Sequence, residues 1–255
     1  MAVPSWRAQV GQLRDKGYVV VPGFAALEWL AKLNDAAKAQ LAAHLGPIEF
    51  EADLRYPGAP RSRTDAGGGT VRRLLDAYGR DAEFAAWATA PRLREWLEAY
   101  FAEEVLMSRA HHNCLMTKHP LYGSMTGWHR DIRFWSFERE DLMSVWLALG
   151  DETIDNGALW FVPGSHRAEF DADRFDDAKF FRVDRADNAE LVRTAESPRL
   201  AAGDAVFFHC NTLHSAGRNL SDAVKFSLVY TYHGRSNAAQ AGTRSNSKPE
   251  VELCP

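Results

Sequence analysis

The chain has 255 residues, of which 46% are hydrophobic and 25% are charged, ordinary globular values that exclude general disorder. This length favours one large domain spanning residues 1–255. The net charge of −4 argues against a nucleic-acid partner, and no apolar run approaches the ~20 residues that would make the chain a membrane protein.

The cysteine count indicates a reducing compartment. Cys114, Cys210 and Cys254 are too few and too scattered for a disulfide framework or a four-thiolate zinc site. The first residues lack the apolar region of a signal peptide. The expected location is therefore cytoplasmic.

The first hundred residues combine a short strand with helices. The β-branched run at 18–21 predicts a strand, and the apolar spacing of the next segment predicts an amphipathic helix that ends near 46–47. Turn-forming residues dominate 52–70 and predict a loop. The glycines of this loop lack the Gly-Lys-Ser/Thr of a phosphate-binding loop. A further helical stretch covers 81–102.

Strands dominate the rest of the chain. Short β-branched or aromatic runs follow one another with turn signals between them, at 105–117, 142–149, 158–162, 205–209 and 225–233. Strands in series without helices between them favour an antiparallel sandwich or barrel. Residues 165–199 predict an irregular surface excursion, and 235–255 predict a polar tail with little to bury.

The residues with the clearest chemical meaning are two histidines and one aspartate. His129 and Asp131 are two positions apart, so in an extended segment both side chains point the same way and can reach one ion. His214 lies near the end of a later predicted strand. Two histidines and one carboxylate form a facial triad, which leaves open positions on a ferrous ion for an oxoacid and oxygen.

The surroundings of these residues resemble a known family. The segments GWHRDIRFW, VWLALGDETIDNGALWFVPGSH and GDAVFFHCNTLHSAGRN resemble the phytanoyl-CoA dioxygenase family of iron(II)- and 2-oxoglutarate-dependent oxygenases. The resemblance covers about residues 10–233 and is strongest from Lys118 to Lys225. It implies a mainly β fold with flanking helices, a double-stranded β-helix (a jelly roll or cupin-like barrel).

The resemblance also implies the reaction and its metal ligands. The cofactors would be Fe(II), 2-oxoglutarate as cosubstrate and O2, and the reaction would hydroxylate an unactivated C–H bond with release of succinate and CO2. The family's metal ligands fall on His129, Asp131 and His214. His209, five residues before His214, is a rival ligand. Because Asp131 is present where the family's halogenases have a small residue, halogenation is disfavoured.

The cosubstrate contacts carried over from the family include one departure. The family usually has an arginine for the far carboxylate of 2-oxoglutarate at the position of Lys225, and a lysine lacks its planar fork. Arg218 is the competing cation, and Lys118 matches a family lysine near the keto-acid end. Trp146 and Ser144 occupy sheet positions close to the cosubstrate in the same pattern.

Basic and aromatic residues near the triad suggest the substrate class. They are Arg109, His111, His112, Asn113, Trp128, Arg133, Phe134 and Trp135. This set predicts a small polar or anionic metabolite as the partner. Alternatively, Arg109 and Arg133 pair with the nearby acids Glu138, Glu140 and Asp141.

Two other functions stay open. One is a metal-binding jelly roll without turnover that binds a ligand or serves as a scaffold, although a scaffold has no use for a complete ligand set with a basic clamp. The other is a cupin-type metalloenzyme that does not use 2-oxoglutarate, which differs in whether oxygen uptake needs the oxoacid. The identity of the substrate and the oligomeric state are not determined by the sequence.

Overall fold

The structure, a computed structural model, describes residues 6–54, 56 and 58–253. Arg55 and Pro57 of the turn-rich segment and Cys254 lie outside these residues. The helices are α1 (Arg7–Lys16), α2 (Leu27–Ala42), α3 (Ala77–Arg80), α4 (Ala82–Ala88), α5 (Pro91–Phe101) and α6 (Ala186–Val192). The strands are β1 (Tyr18–Val21), β2 (Ile48–Phe50), β3 (Val71–Leu75), β4 (Val105–Lys118), β5 (Thr126–His129), β6 (Leu142–Ala148), β7 (Leu159–Phe161), β8 (Ala205–His209), β9 (His214–Ala216), β10 (Lys225–Gly234) and β11 (Val251–Glu252).

These strands form two antiparallel sheets. The larger has the order β1-β8-β6-β10-β4-β3-β2, with β11 also paired to β4, and the smaller has the order β5-β9-β7. A hydrophobic cluster that includes Tyr18 and Phe208 of the larger sheet and Phe161 of the smaller one joins them. The sheets therefore face each other as a jelly roll that does not close into a barrel, which confirms the predicted fold class.

The outer face of the larger sheet packs against the N-terminal helices. Leu228 and Tyr230 of β10 belong to the same buried cluster as Trp87 of α4 and Trp96 of α5. The Tyr230 hydroxyl also donates a 2.9 Å hydrogen bond to the carbonyl of Phe84 in α4. Helices therefore cover one side of the sheet, as expected from the family resemblance.

The inner face of the same strands carries the polar residues. Side chains alternate along a strand, so Val145 of β6 packs on the helix side while Ser144 and Trp146 point between the sheets. In β10, Lys225 and Ser227 share the inner side with Val229. The alternation of side chains along each strand therefore places these polar groups on the same face as the apolar residues between the sheets.

Two helix boundaries differ from the sequence expectation. The stretch 81–102 contains two helices, because Pro91 begins α5 at its first turn, where a missing N–H costs nothing. Helix α2 ends at Ala42, before Gly46 and Pro47.

Residues 165–199 include the helix α6 and are not wholly a surface excursion. Phe181 of this segment is 3% exposed, and Asn188 of α6 is fully buried. The side chain of Asn188 donates to the carbonyls of Arg174 and Arg182, which ties the segment together.

The end of the chain differs most from expectation. Residues 235–253 are polar in composition, yet β11 pairs with the first part of β4 and Leu253 is 5% exposed within the main core. Ser245 is buried as well and lies 2.8 Å from the Nε2 of His111. The segment covers an edge of β4 that would otherwise be unpaired. No helix in the described ranges is long and apolar enough to cross a membrane.

The packing of this segment predicts that shortening a buried side chain within it destabilises the protein. Replacing a buried leucine removes its transfer free energy and leaves a cavity, so Leu253→Ala should lower the free energy of unfolding by about 2 kcal/mol in urea titrations. Leu220→Ala is the matched control, because Leu220 is 78% exposed and its loss should change stability by less than about 0.5 kcal/mol. Equal stabilities of the two variants would contradict the packing of the segment.

Candidate active site

The three predicted metal ligands meet between the sheets. His129 ends β5 and is the register partner of His214, which begins β9, so that their ring centroids are 4.2 Å apart. Asp131 follows at the start of a short 3-10 helix. One ligand atom from each residue lies within 4.8 Å of the others, and all three residues are buried. Two imidazole nitrogens and a carboxylate oxygen are a donor set that suits Fe(II).

Backbone carbonyls orient both histidines. The Nδ1 of His129 lies 2.8 Å from the carbonyl oxygen of Gly127, and the Nδ1 of His214 lies 3.0 Å from that of Thr212. A carbonyl can only accept, so each Nδ1 carries the proton and each Nε2 keeps its lone pair for a metal. The Nε2 atoms lie 3.6 Å and 3.5 Å from Oδ1 of Asp131.

Two neighbours hold the carboxylate of Asp131. The hydroxyl of Ser144 donates a 2.7 Å hydrogen bond to Oδ2, and Nε2 of His112 lies 3.0 Å from Oδ1. Burial alone would raise the pKa of Asp131, but the adjacent His112 and His214 keep it well below its ordinary value. Burial, followed by the repulsion that two charged rings would have for each other at His129 and His214, lowers the pKa of His129 to about 3. The triad is therefore in the ionisation state that metal binding requires.

His209, the rival ligand, lies elsewhere. Its Nε2 is 3.6 Å from a carboxylate oxygen of Asp141, and its Nδ1 accepts the backbone N–H of Asn211. It does not line either of the cavities that adjoin the triad.

A cavity of about 600 Å³ adjoins the triad on the side of β4 and β10. Lys118 and Lys225, which are register partners across these strands, both line it. Trp146 lines it too, as do Arg72 and Arg73 of β3, together with His112, Met116, Thr117, Thr126, His129, Asp131, Gly157, Leu159, Phe208, His214, Ser215, Ala216 and Ser227. Basic side chains in the wall of a cavity next to a metal site suit an oxoacid with two carboxylates.

Most of the basic groups in this cavity already have acidic partners. Lys225 lies 2.7 Å from Glu152, and Arg73 lies 2.7 Å from Glu49. Arg72 lies 3.2 Å from Glu51 and also contacts Ser124 and Thr126. These pairs neutralise much of the positive charge in the cavity walls.

Lys118 differs from these groups. Its Nζ donates to the carbonyl of Gly217, and it forms no ion pair with an acidic side chain of the described residues. Burial lowers the pKa of Lys118 well below its ordinary value, and the charges of Arg72 and Lys225 act in the same direction. The charges of Glu51 and Glu152 oppose this shift without reversing it.

A second, larger cavity of about 1230 Å³ adjoins the triad on its other side. His129, Asp131, His112 and Arg73 line both cavities. The larger one is further lined by Glu49, Leu54, Tyr56, Leu75, His111, Cys114, Arg133, Phe134, Trp135, Ala178, Phe180 and Arg244. The triad therefore lies at the junction of two cavities.

The structure brings some predicted substrate residues to this cavity and not others. His111, Arg133 and Trp135 line it, with the rings of His111 and Trp135 stacked at 4.7 Å. Arg109 lies instead 3.2 Å from Asp76, to which Asn113 also donates at 2.8 Å, and neither lines either cavity.

Two further expectations concern basic residues. Neither Arg109 nor Arg133 pairs with Glu138, Glu140 or Asp141 in the described part of the chain. Arg218, the competing cosubstrate cation, is exposed and does not line the smaller cavity.

Several site residues were not anticipated from the sequence. Arg72 and Arg73 sit in a short strand whose pairing with β4 is not visible locally. Glu152 lies two residues after Gly150 in a turn-like segment, which is typical of a solvated acid, yet it is fully buried. Arg244 reaches the larger cavity from the segment expected to be a tail. For the three arginines, their basic character was the one usable signal, and Glu152 gave none.

Comparison with known proteins identifies the family. The sequence profile of the phytanoyl-CoA dioxygenase family (PhyH) matches residues 13–227. The chain belongs to the phytanoyl-CoA dioxygenase family. This family consists of Fe(II)- and 2-oxoglutarate-dependent dioxygenases that use O2, which confirms the predicted family, enzyme class and cofactors.

Its relatives in the phytanoyl-CoA dioxygenase family are distant. Ectoine dioxygenase of Halomonas elongata is 26% identical over 250 residues, covering 92% of this chain and 71% of that protein. A probable alpha-ketoglutarate-dependent hypophosphite dioxygenase of Stutzerimonas stutzeri is 23% identical, covering 86% and 75%.

Solved structures show the same fold. The apo form of EctD from S. alaskensis has a TM-score of 0.76 at 21% identity, covering 95% of this chain and 81% of that one. The epimerase SnoN, in complex with Fe3+, alpha ketoglutarate and nogalamycin RO, has a TM-score of 0.73 at 23% identity, covering 92% and 86%.

The geometry of the triad predicts the metal stoichiometry. The protein should bind one Fe(II) per chain in anaerobic calorimetry, and His129→Ala, Asp131→Ala and His214→Ala should each abolish that binding, because one ligand of three is lost. His209→Ala should still bind one Fe(II). Loss of iron in His209→Ala together with retention in His214→Ala would reverse the assignment of the third ligand.

The hydrogen bond from Ser144 predicts a smaller effect. Ser144→Ala leaves Asp131 in place but frees its Oδ2, so the affinity for Fe(II) should fall about 10–100-fold. Ser236→Ala is the control, since this serine also donates to a carboxylate, that of Glu103, away from both cavities. Titration with Fe(II) under the same conditions compares the two, and an unchanged Kd in Ser144→Ala would show that this bond does not tune the metal site.

Proposed function

We propose that this protein hydroxylates an unactivated C–H bond of a small anionic metabolite, with 2-oxoglutarate as cosubstrate. The observation that carries this proposal is the position of the triad between two cavities. The smaller, basic cavity would hold 2-oxoglutarate and the larger one the metabolite. His129, Asp131 and His214 would hold the iron.

The proposed reaction consumes both oxygen atoms of O2. One atom enters succinate as 2-oxoglutarate loses CO2, and the other replaces the hydrogen of C–H by hydroxyl. When bound, Fe(II) supplies the site at which oxygen is activated. The protein's own groups position the two organic ligands on either side of the metal ligands and hold Asp131 through Ser144.

An anionic substrate is supported by the charges of the larger cavity. Arg73 there is paired with Glu49, but Arg133 and Arg244 form no ion pair with an acidic side chain of the described residues. Arg133 donates a 3.4 Å bond to the carbonyl of Ala178, interacts with Tyr56 and lies 4.4 Å from the ring of Phe180. A carboxylate or phosphate group would supply the missing counter-charge.

Aromatic rings supply the rest of the wall. Phe180 lies close to both Arg133 and the triad, with its ring centroid 6.0 Å from that of His129. Tyr56 packs edge-on against Phe180 at 5.3 Å. These rings suit an apolar portion of the substrate next to the metal. The substrate class is therefore a molecule with one anionic end and a C–H-bearing body.

The test is a metabolite screen with the iron-loaded protein. Carboxylated or phosphorylated candidates should stimulate succinate formation above the substrate-free rate and gain one oxygen atom in mass, whereas their neutral amides or dephosphorylated forms should not. A product of unchanged mass would contradict hydroxylation. Stimulation by neutral compounds alone would contradict the anionic class.

Once the screen has identified a substrate, variants test whether its anionic group binds at Arg133. Arg133→Gln should raise the half-saturating substrate concentration at least tenfold, about 1.4 kcal/mol, and leave that of 2-oxoglutarate unchanged. Arg193→Gln is the control, because Arg193 is exposed and lines neither cavity. An Arg133→Gln variant with wild-type saturation would place the anionic group elsewhere.

A further inference from the structure

A buried acid that the proposed function does not use lies behind the wall of the smaller cavity, next to Lys225. Glu152 is fully buried, and its Oε2 lies 2.7 Å from the Nζ of Lys225. Its Oε1 accepts hydrogen bonds from the indole N–H of Trp146 at 2.8 Å and from the hydroxyl of Ser227 at 2.6 Å. The carboxylate of Glu152 thus accepts hydrogen bonds from three residues that line the cavity.

This arrangement changes what Lys225 can offer a ligand. Its side chain is only 5% exposed and its charge is matched by Glu152 at hydrogen-bonding distance. A second carboxylate placed at Lys225 would lie close to the first, and like charges at short range in a buried site repel strongly. The pair therefore adds little net attraction for a dicarboxylate.

Lys118, unlike Lys225, forms no ion pair with an acidic side chain of the described residues. It lies beside Lys225 in the register of β4 and β10 and lines the same cavity, but its Nζ reaches only the carbonyl of Gly217. The other basic groups of the cavity, Arg72 and Arg73, have Glu51 and Glu49 as partners. Glu51 and Glu152 favour the charged form of Lys118 without forming an ion pair with it, but its burial outweighs them. A ligand carboxylate next to Nζ would favour the charged form further.

We infer that Glu152 is a specificity-determining residue for the cosubstrate. It forms an ion pair with Lys225, so that Lys118 is the lysine that pairs with the distal carboxylate of 2-oxoglutarate. Glu152 thereby limits the preference of the cavity for dicarboxylic over monocarboxylic 2-oxo acids. This inference rests on the proposed function, in which the smaller cavity holds the oxoacid. It assigns Lys225 to an internal ion pair.

The test compares two ligands that differ at one end. Calorimetry on the anaerobic Fe(II)-loaded protein measures the Kd of 2-oxoglutarate and that of 2-oxopentanoate, which has the same chain length without the distal carboxylate. Glu152→Gln keeps the shape and removes the charge. It should lower the Kd of 2-oxoglutarate at least tenfold and change that of 2-oxopentanoate less than twofold.

Two further variants separate the lysines. Lys118→Met should raise the Kd of 2-oxoglutarate at least tenfold and leave that of 2-oxopentanoate unchanged. The double variant Lys225→Met with Glu152→Gln removes both charges of the internal pair together, so neither is left buried alone, and its Kd should stay within about threefold of wild type.

The inference is overturned if the double variant loses at least tenfold in 2-oxoglutarate affinity while Lys118→Met does not, because Lys225 would then hold the distal carboxylate. It is also overturned if Glu152→Gln leaves the ratio of the two dissociation constants unchanged. Failure of the proposed function gives a different result, in which neither 2-oxo acid binds the wild-type Fe(II) protein.

Discussion

The alternation of side chains along β6 and β10 is the constraint on which the site depends. Because neighbouring residues of a strand point to opposite faces, Val145 and Leu228 are packed against the helices while Ser144 and Ser227 point between the sheets. The apolar face anchors the strands, and burial of that face fixes their register. A slip by one residue would exchange the core with the site, so the same packing that stabilises the fold also positions Ser144 against Asp131.

The smaller sheet contributes the metal ligands in a comparable way. Its strands β5 and β9 are short, yet the pairing of His129 with His214 brings two ligands from distant parts of the chain side by side. The carbonyls of Gly127 and Thr212, each two residues before its histidine, set the ring orientation. Local backbone therefore determines which nitrogen faces the metal, and the sheet determines the distance between the rings.

The sequence was informative where the signal is local. Strands β4, β6, β7, β8 and β10 could be predicted from β-branched and aromatic runs, and the triad from a His-x-Asp unit together with the family resemblance. The short strands β5 and β9 carry no such run and were not predicted. Glu152 could not, since its burial depends on Lys225 and Ser227 from a strand about 75 residues away. The docking of Leu253 was equally invisible, because a polar composition does not reveal that an edge of β4 is available for β11.

The distribution of buried charge relates the fold to the proposed reaction. Buried cations require a counter-charge, and Arg72, Arg73 and Lys225 have one within the protein. Lys118 and Arg133 form no ion pair with a described acidic side chain, and they line different cavities next to the triad. Under the proposed function, each would receive the anionic end of one ligand. Because Phe180 lies close to both Arg133 and His129, the body of the metabolite would pack on this ring.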